Sequence, residues 1–421
     1  MNDPMSQDQS GEAERPFLVD VSRLIWRLWT GRIPTGIDRV CMAYVRHFGD
    51  RAKAVVQRNG VRQILSDAHS DELFGMLHSP LQSFRSRFSR FAIRAFLNRG
   101  DKSSGQGRIY LNVGHTGLDE PGLPQWIDRL GLRPVFLVHD LIPLTHPELC
   151  RAGATEQHLL RIDAILRCAS GIICNSAVTE ADLAAHAQMA GLSVPPSVVA
   201  WIAGHDIPRT VTASRLKRPY FLAVGTIEGR KNHILLLQIW KRMAERLGDA
   251  APLLVVAGQR GWEADHALAM LDRAPALKGH VIERNDVNDH ELVRLVAGAQ
   301  ALLMPSFVEG FGIPVIEALQ LGTPVIASDL PVFREIAGDI PLYLDNLDGP
   351  AWERAILGFD KGGEPSRQAL LLQDWQPPNW SEHFAIVEDW LETLPLDRGA
   401  NSLAPSMPER TSRQQSGGSL V

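Results

Sequence analysis

Apolar residues along the chain cluster in short β-branched runs, separated by stretches in which they recur every three or four positions. This alternation predicts strand–helix units wound around parallel sheets. The runs Phe17–Val21, Ala54–Gln57, Ile109–Val113, Val135–His139, Gly171–Cys174 and Val198–Ile202 predict the strands of a first sheet. Tyr220–Val224, Leu253–Ala257, Val281–Glu283, Ala301–Met304, Pro324–Ala327 and Leu342–Leu344 predict a second. The expected class is α/β, with two doubly wound units over residues 16–203 and 220–380. Between them the apolar run ends in Gly-His-Asp-Ile-Pro, and basic Arg215-Leu-Lys-Arg218 precedes Pro219, which reads as a linker over 204–219. A helix over Ser381–Leu394, with Phe384, Val387 and Leu391 on one face, either closes the second unit or crosses back to the first; 381–397 forms this C-terminal helix. Residues 1–15 and 398–421 are polar, the latter rich in Ser, Pro, Gln and Gly, and are expected to be disordered.

Composition narrows the chemistry. The chain has 421 residues, 45% of them apolar, enough for two cores or three. Lys and Arg number 43 against 48 Asp and Glu, a net charge of −5, which argues against a nucleic-acid partner and requires any anion site to be built locally. Cys41, Cys150, Cys168 and Cys174 are scattered, the N-terminal stretch lacks a secretory pattern, and no apolar run reaches a bilayer's thickness. A cytoplasmic location is expected. No His-x-x-x-His pair, cysteine cluster or Asp-x-Asp triplet occurs, so no metal and no cofactor are expected. The Gly-x-Ser-x-Gly elbow, the Walker phosphate loop and the Gly-x-Gly-x-x-Gly turn after an early strand are absent too, which removes the signatures of hydrolases, P-loop ATPases and nicotinamide dehydrogenases.

The strongest local signal is Glu309-Gly310-Phe311-Gly312-Ile-Pro314, running into a helix that carries Glu317 and stops at Gly322. The glycines permit a tight turn, and Pro314 suits a first helical turn, so the free N–H groups there can hold phosphate oxygens. Glu309 and Glu317, eight residues apart, suit neutral polyols, one facing a reacting sugar and the other a ribose; the plainer alternative is a capping and a solvated glutamate. The second signal is Gly225-Thr226-Ile-Glu-Gly-Arg230-Lys231-Asn232, a loop that places two cations at a helix start. Cations are badly placed there for the helix dipole, so a bound diphosphate supplies a reason for them; a solvated basic loop is the alternative.

In the first half, Thr35-Gly36-Ile-Asp38-Arg39 opens a helix and could admit phosphate or acceptor, and His139-Asp140 ends a strand where an imidazole could bond a sugar hydroxyl. Each also reads as ordinary structure, a helix start and a strand end. Asn175-Ser176 reads as the cap of the next helix. Within Leu77–Arg99 the residues Phe84, Phe88, Phe91 and Ala95 share one helical face, while Arg85, Arg87, Arg90 and Arg94 line the rest without an acid among them. Such a helix suits an anionic membrane surface through both its phenylalanines and its arginines, or packs its aromatic stripe on the core and solvates the arginines.

Across Phe17 to about Leu394 these motifs resemble the family 4 glycosyltransferases of GT-B fold, retaining enzymes with two Rossmann-like domains facing across a cleft. Glu309-Gly-Phe-Gly with Glu317 resembles that family's Glu-x7-Glu motif, Gly225-Thr with Arg230-Lys231-Asn232 its diphosphate loop, His139-Asp140 its N-domain histidine and Gly36 its glycine loop. The wording around Asp20 and Thr35–Val40 is similar to bacterial transferases of surface-polysaccharide assembly, mannosyl and rhamnosyl enzymes included. Trp201-Ile-Ala-Gly-His205-Asp departs from the Asn-Gly-Val-Asp of relatives and leaves the hinge contact open. The resemblance implies hexose transfer from a nucleoside diphosphate sugar, with GDP-mannose the first guess, to a glycan or polyprenyl-diphosphate-linked oligosaccharide. It implies catalytic roles for Glu309, His139, Arg230 and Lys231. Donor contacts fall to Gly36, Gly225, Thr226, Asn232, Gly310, Phe311, Gly312 and Glu317, and acceptor-side places to Thr35, Asp38, Arg39 and Asp140. A non-catalytic scaffold that binds nucleotide sugar or glycan is the alternative from another class.

Overall fold

The computed structural model describes residues 15–32, 34–79, 83–97, 105–205, 207–208, 210–359 and 363–395. The tails at 1–14 and 398–421, expected to be disordered, lie outside the described residues, but Arg15 is anchored: its guanidinium donates to Asp71 and to the carbonyl of Ala52, at 2.8 and 3.0 Å.

Among the described residues the strands form two sheets. The first contains β1 (Phe17–Asp20), β2 (Ala52–Arg58), β3 (Val61–Ile64), β4 (Ile109–Asn112), β5 (Arg133–Val138), β6 (Gly171–Cys174) and β7 (Ser197–Val199). Their order is β3-β2-β1-β4-β5-β6-β7. The second contains β8 (Tyr220–Val224), β9 (Leu253–Ala257), β10 (Val281–Arg284), β11 (Leu302–Met304), β12 (Val325–Ser328) and β13 (Leu342–Leu344), in the order β10-β9-β8-β11-β12-β13. Every pair is parallel except β2 with β3. Helices cover both faces, so β1, β9 and β12 are buried at every residue, which is why they read as unbroken apolar runs rather than alternating ones.

The order of each sheet reverses beside its first strand, between β1 and β4 and between β8 and β11. Chain emerging from two adjacent strands diverges there and leaves a crevice at their carboxyl ends. The loops of interest follow β1, β5, β8 and β11. Strand β3 is not foreseen from the sequence pattern. It forms because Asn59 and Gly60 both take left-handed backbone, φ 49° and 76°, and fold β3 back on β2 in a two-residue hairpin.

One apolar cluster runs from Val19, Tyr44 and Leu111 in the first unit to Leu222, Met304 and Val315 in the second, and takes in Phe384 and Val387. The C-terminal helix, Trp380–Thr393, crosses back to the first unit. Tyr44 donates to His383 Nε2 at 2.9 Å, and His383 Nδ1 donates to the Trp201 carbonyl at 3.1 Å. The His47 ring stacks on Phe384 with centroids 3.9 Å apart, and Glu388 accepts from both His47 and Arg51.

The arginine-rich helix, Phe84–Leu97, corrects one expectation. Phe84, Phe91 and Ala95 are buried, and Phe88 packs between Trp29, Phe84 and Phe91 with centroids 5.7–6.2 Å apart. The aromatic stripe therefore packs on the core, with Phe84 and Phe91 buried and Phe88 half-buried, so it is not a face free for lipid. Their spacing is equally suited to either partner, and the neighbouring helix Ser22–Thr30 supplies the apolar surface that settles it. Arg90 is exposed and Arg87 half-buried, while Arg85 donates to the Trp29 carbonyl and Arg94 pairs with Glu72.

Candidate active site

Strand β8 ends at Val224 and hands over to the loop Gly225–Asn232; β11 ends at Met304 and hands over to Pro305–Gly312. The loops are stitched together, Phe307 N–H donating to the Arg230 carbonyl at 2.8 Å. Asn232 adopts φ 52° and donates its amide to the carbonyls of Pro305 and Asn346, at 3.2 and 2.9 Å. It is buried and does not line the cavity, so its part is to hold the turn, a correction to the expected donor contact.

The stitching brings Glu309 onto both cations. Lys231 Nζ stands 2.6 Å from Glu309 Oε1, Arg230 Nη1 stands 2.5 Å from Oε2, and Ser306 Oγ donates to Oε1 at 2.6 Å. Arg230 Nε also pairs with buried Glu228 at 2.7 Å. Two carboxylates thus balance two cations in a water-poor crevice. Burial alone would raise the Glu309 pKa; Lys231 and Arg230 outweigh it and bring it down to about 2. Burying such a quartet is costly unless its geometry is complete, and this one keeps every charge within hydrogen-bond reach of an opposite one.

Across the cleft His139 follows β5. Its Nε2 bonds the Val113 carbonyl at 2.8 Å, and since a carbonyl only accepts, Nε2 carries the proton and Nδ1 presents a lone pair. Burial brings its pKa down to about 4, so the ring is neutral near pH 7. His115, not singled out by the sequence, lies beside it with ring centroids 5.1 Å apart, and His158 lies beside His115; each is bonded through Nε2 to a backbone carbonyl. Asn175 donates to the His139 carbonyl at 2.8 Å rather than capping, and Ser176 alone caps the helix Ala177–Ala190. Asp140 lines the cavity and accepts from Ile142 N–H at 3.1 Å.

The first unit meets the Glu309 loop closely. A Cβ placed on Gly310 would lie 2.8 Å from the His139 carbonyl oxygen and 2.9 Å from Asp140 Cβ, so only glycine fits there. Between the units lies a cavity of about 570 Å³. It is lined by Thr35, Gly36, Arg39, His139, Asp140, Gly225, Thr226, Arg230, Lys231, Glu309, Gly310, Phe311, Gly312 and Glu317. Phe311 is otherwise buried and anchors the turn in the core.

One acceptor-side expectation is corrected. Asp38 is buried, bonds the backbone and hydroxyl of Thr35 in a capping box, and pairs with Arg23 and Arg27 at 2.7 and 2.9 Å. It closes the helix Gly36–Phe48 and does not line the cavity. Arg39 lines the cavity and reaches the other unit, 2.7 Å from Asp289 and 3.8 Å from Glu317. The cavity wall also includes Gly258, Gln259 and Trp262 after β9 and, at and after the end of β10, Arg284, Asn285 and Val287, which no local motif marks. Their position just past strand ends is the signal that could have found them. Among the described residues no group of three or more His, Cys, Asp or Glu could hold a metal ion.

With this geometry in place, the likenesses to known proteins can be read. Residues 206–340 match the family model Glycosyl transferases group 1. The chain is 30% identical over 300 residues to the serotype-specific mannosyltransferase WbdA of Escherichia coli, a match covering 66% of this chain and 36% of that protein. It is 36% identical over 148 residues to the O-antigen chain mannosyltransferase RfbU of Salmonella typhimurium, covering 34% of this chain and 39% of the other. The matched region thus spans only a little over a third of those relatives. Among solved structures, Anabaena Alr3699/HepE in complex with UDP and glucose superposes with a TM-score of 0.60 over 90% of this chain and 99% of the other, at 14% identity. The sucrose-phosphate synthase of Thermosynechococcus elongatus gives 0.54 over 80% and 85%, at 16% identity. Residues 206–340 are a Glycosyl transferases group 1 domain, carried in a chain of GT-B fold that is homologous to the O-antigen mannosyltransferases.

Proposed function

We propose that the chain is a retaining, family 4-like hexosyltransferase of bacterial surface-polysaccharide synthesis. It takes its hexose from a nucleoside diphosphate sugar, GDP-mannose in the first instance, and gives it to a glycan or a polyprenyl-diphosphate-linked oligosaccharide. The observation that carries this reading is the pairing of Glu309 with Arg230 and Lys231 at the switch point of the second sheet, facing neutral His139 across the cleft. The mannosyltransferase names of WbdA and RfbU support the sugar. UDP, named with HepE, supports a nucleoside diphosphate in the cleft and leaves the base to experiment.

In this reading the diphosphate takes donors from Arg230, Lys231 and the N–H groups of Gly310–Gly312, and Glu317 takes the ribose. The bond from the anomeric carbon to the diphosphate oxygen breaks, the bond to the acceptor oxygen forms on the same face, and the acceptor proton passes to the departing β-phosphate. Charge growing on the diphosphate meets the two cations, whose interaction at ~4 Å rises from about 1 kcal/mol in bulk water to about 4 at an effective dielectric of 20. Glu309 orients the hexose and steadies its developing positive charge. His139 Nδ1 accepts from a hexose hydroxyl. In this reading Arg230, Lys231 and the loop N–H groups take up the charge on the diphosphate, so turnover should persist in EDTA. A lipid-linked acceptor would be met at the cytoplasmic membrane face, with the arginine side of the helix Phe84–Leu97 toward anionic headgroups.

The test is purified protein with GDP-, UDP- and dTDP-hexoses and an oligosaccharide acceptor, followed by NMR of the new glycosidic bond. Transfer with the donor's anomeric configuration supports the reading. Inversion overturns the mechanism, and nucleotide-sugar binding without any transfer or hydrolysis leaves the scaffold role instead.

A further inference from the structure

The departure at Gly204-His205 places a histidine behind Glu317, the carboxylate proposed for the ribose. His205 Nδ1 lies 2.5 Å from Glu317 Oε1, and the His205 backbone N–H reaches the same oxygen at 3.3 Å. On its other side His205 Nε2 stands 3.0 Å from Asp289. Gly204 lets the linker press this close, since a Cβ there would sit 2.9 Å from Glu317 Cγ. With Arg39, the charged groups facing His205 from the packed helices are Glu317, Asp289 and Arg39, one cation short of balance unless His205 is protonated. Among the described residues Glu317 Oε2 takes no hydrogen bond, so one oxygen is fixed and the other is left for a ligand.

We propose that His205 is a positioning residue of the donor site: as an imidazolium carried on the linker, it fixes the Glu317 carboxylate for a ribose diol and cancels the negative charge that would repel a nucleoside diphosphate. It acts through Glu317 and does not line the cavity itself. Burial lowers its pKa, but Asp289 and Glu317 outweigh burial and bring it up to about 9. The imidazolium is therefore present at neutral pH and is lost as pH rises through about 9, and the donor site should weaken with it. This inference rests on the proposed nucleotide-sugar site.

Titration calorimetry of GDP and UDP, and of their 2′,3′-dideoxy counterparts, into the wild type, His205→Ala and His205→Asn from pH 7 to 10 tests it. The wild type should prefer the ribo form and lose affinity above about pH 9. His205→Ala should bind the ribo form about tenfold more weakly, the loss of one charge-assisted hydrogen bond, and no longer distinguish ribo from dideoxy. Its kcat should stay within about twofold while KM rises. His205→Asn keeps an N–H for Glu317 without charge, so it should recover ribo preference but lose the part of the step near pH 9 that the wild type shows beyond the titration of the nucleotide base itself. Ribo preference and pH response in His205→Asn identical to wild type, or undiminished affinity in His205→Ala, would overturn the inference alone. Failure of both nucleotides to bind the wild type overturns the inference together with the site it rests on.

Discussion

At the residue scale, the site is a set of charges that satisfy one another until something of matching charge displaces them. Glu309 occupies both Arg230 and Lys231, so a diphosphate must exchange with its carboxylate for their donors. Glu309→Gln should therefore cut kcat on the order of a hundredfold, by losing charge stabilisation in the transition state, while nucleotide Kd stays level or tightens because the cations are released. Glu317→Ala should do the reverse and act mainly on Kd. Equal losses in kcat and affinity for both variants, measured by steady-state kinetics and calorimetry, would contradict this division. The Glu309 cluster was legible in the sequence because it sits in two short contiguous motifs. Asp38 and Arg39 were not, since the motif shows their presence but not their partners. Arg39 finds Asp289 at the far side of the chain, and Asp38 turns back on its own helix.

At the scale of elements, the phenylalanine stripe shows where pattern reading stops. Period 3.6 reports an apolar face, and the face takes the same form whether lipid or core covers it. The helix Phe84–Leu97 covers core, so Phe91→Ala should cost about 3–5 kcal/mol in urea unfolding. Arg87→Ala with Arg90→Ala should leave stability within about 0.5 kcal/mol and reduce sedimentation with anionic vesicles. Vesicle binding that survives the arginine changes but fails with Phe91→Ala would restore the aromatic face to the membrane. Gly310 is a tight joint between the units. Gly310→Ala should hold them apart and lower activity more than tenfold while the thermal midpoint changes little, because the clash lies between loops and not within either core. Most strands were legible because the central ones are buried on both faces and read as unbroken apolar runs. β3 is a short edge strand with little apolar content, and its one clear signal, Asn59-Gly60, is a turn rather than a run.

For the whole molecule, buried histidines set the acid limit. Burial lowers the pKa of His139, His233 and His383 to about 4, and holds that of His115 well below its ordinary value. A histidine depressed in the fold adds stability that is complete above its unfolded value near 6.5 and disappears as pH falls through its folded value. The urea midpoint should thus drop steeply between about pH 6.5 and 4, before Glu309 protonates. His383→Gln, which touches Tyr44 and Trp201 at the joint made by the C-terminal helix, should flatten part of that slope. A midpoint that stays constant from pH 6.5 to 4 would contradict the neutral, buried state of these rings. The sequence left the crossing of that helix open, because an apolar face on a terminal helix does not say which unit it covers.

All scales converge on one claim, that the pyrophosphate of a sugar nucleotide lies between Arg230 and Lys231 with its ribose at Glu317. A crystal structure with GDP-mannose, or whichever donor binds most tightly, measures this directly. Phosphate oxygens are expected within about 3 Å of both cations, with Glu309 turned from them toward the hexose and the ribose diol on Glu317. Clear density for the nucleotide elsewhere, with Glu309 still clasped by Arg230 and Lys231, would contradict it.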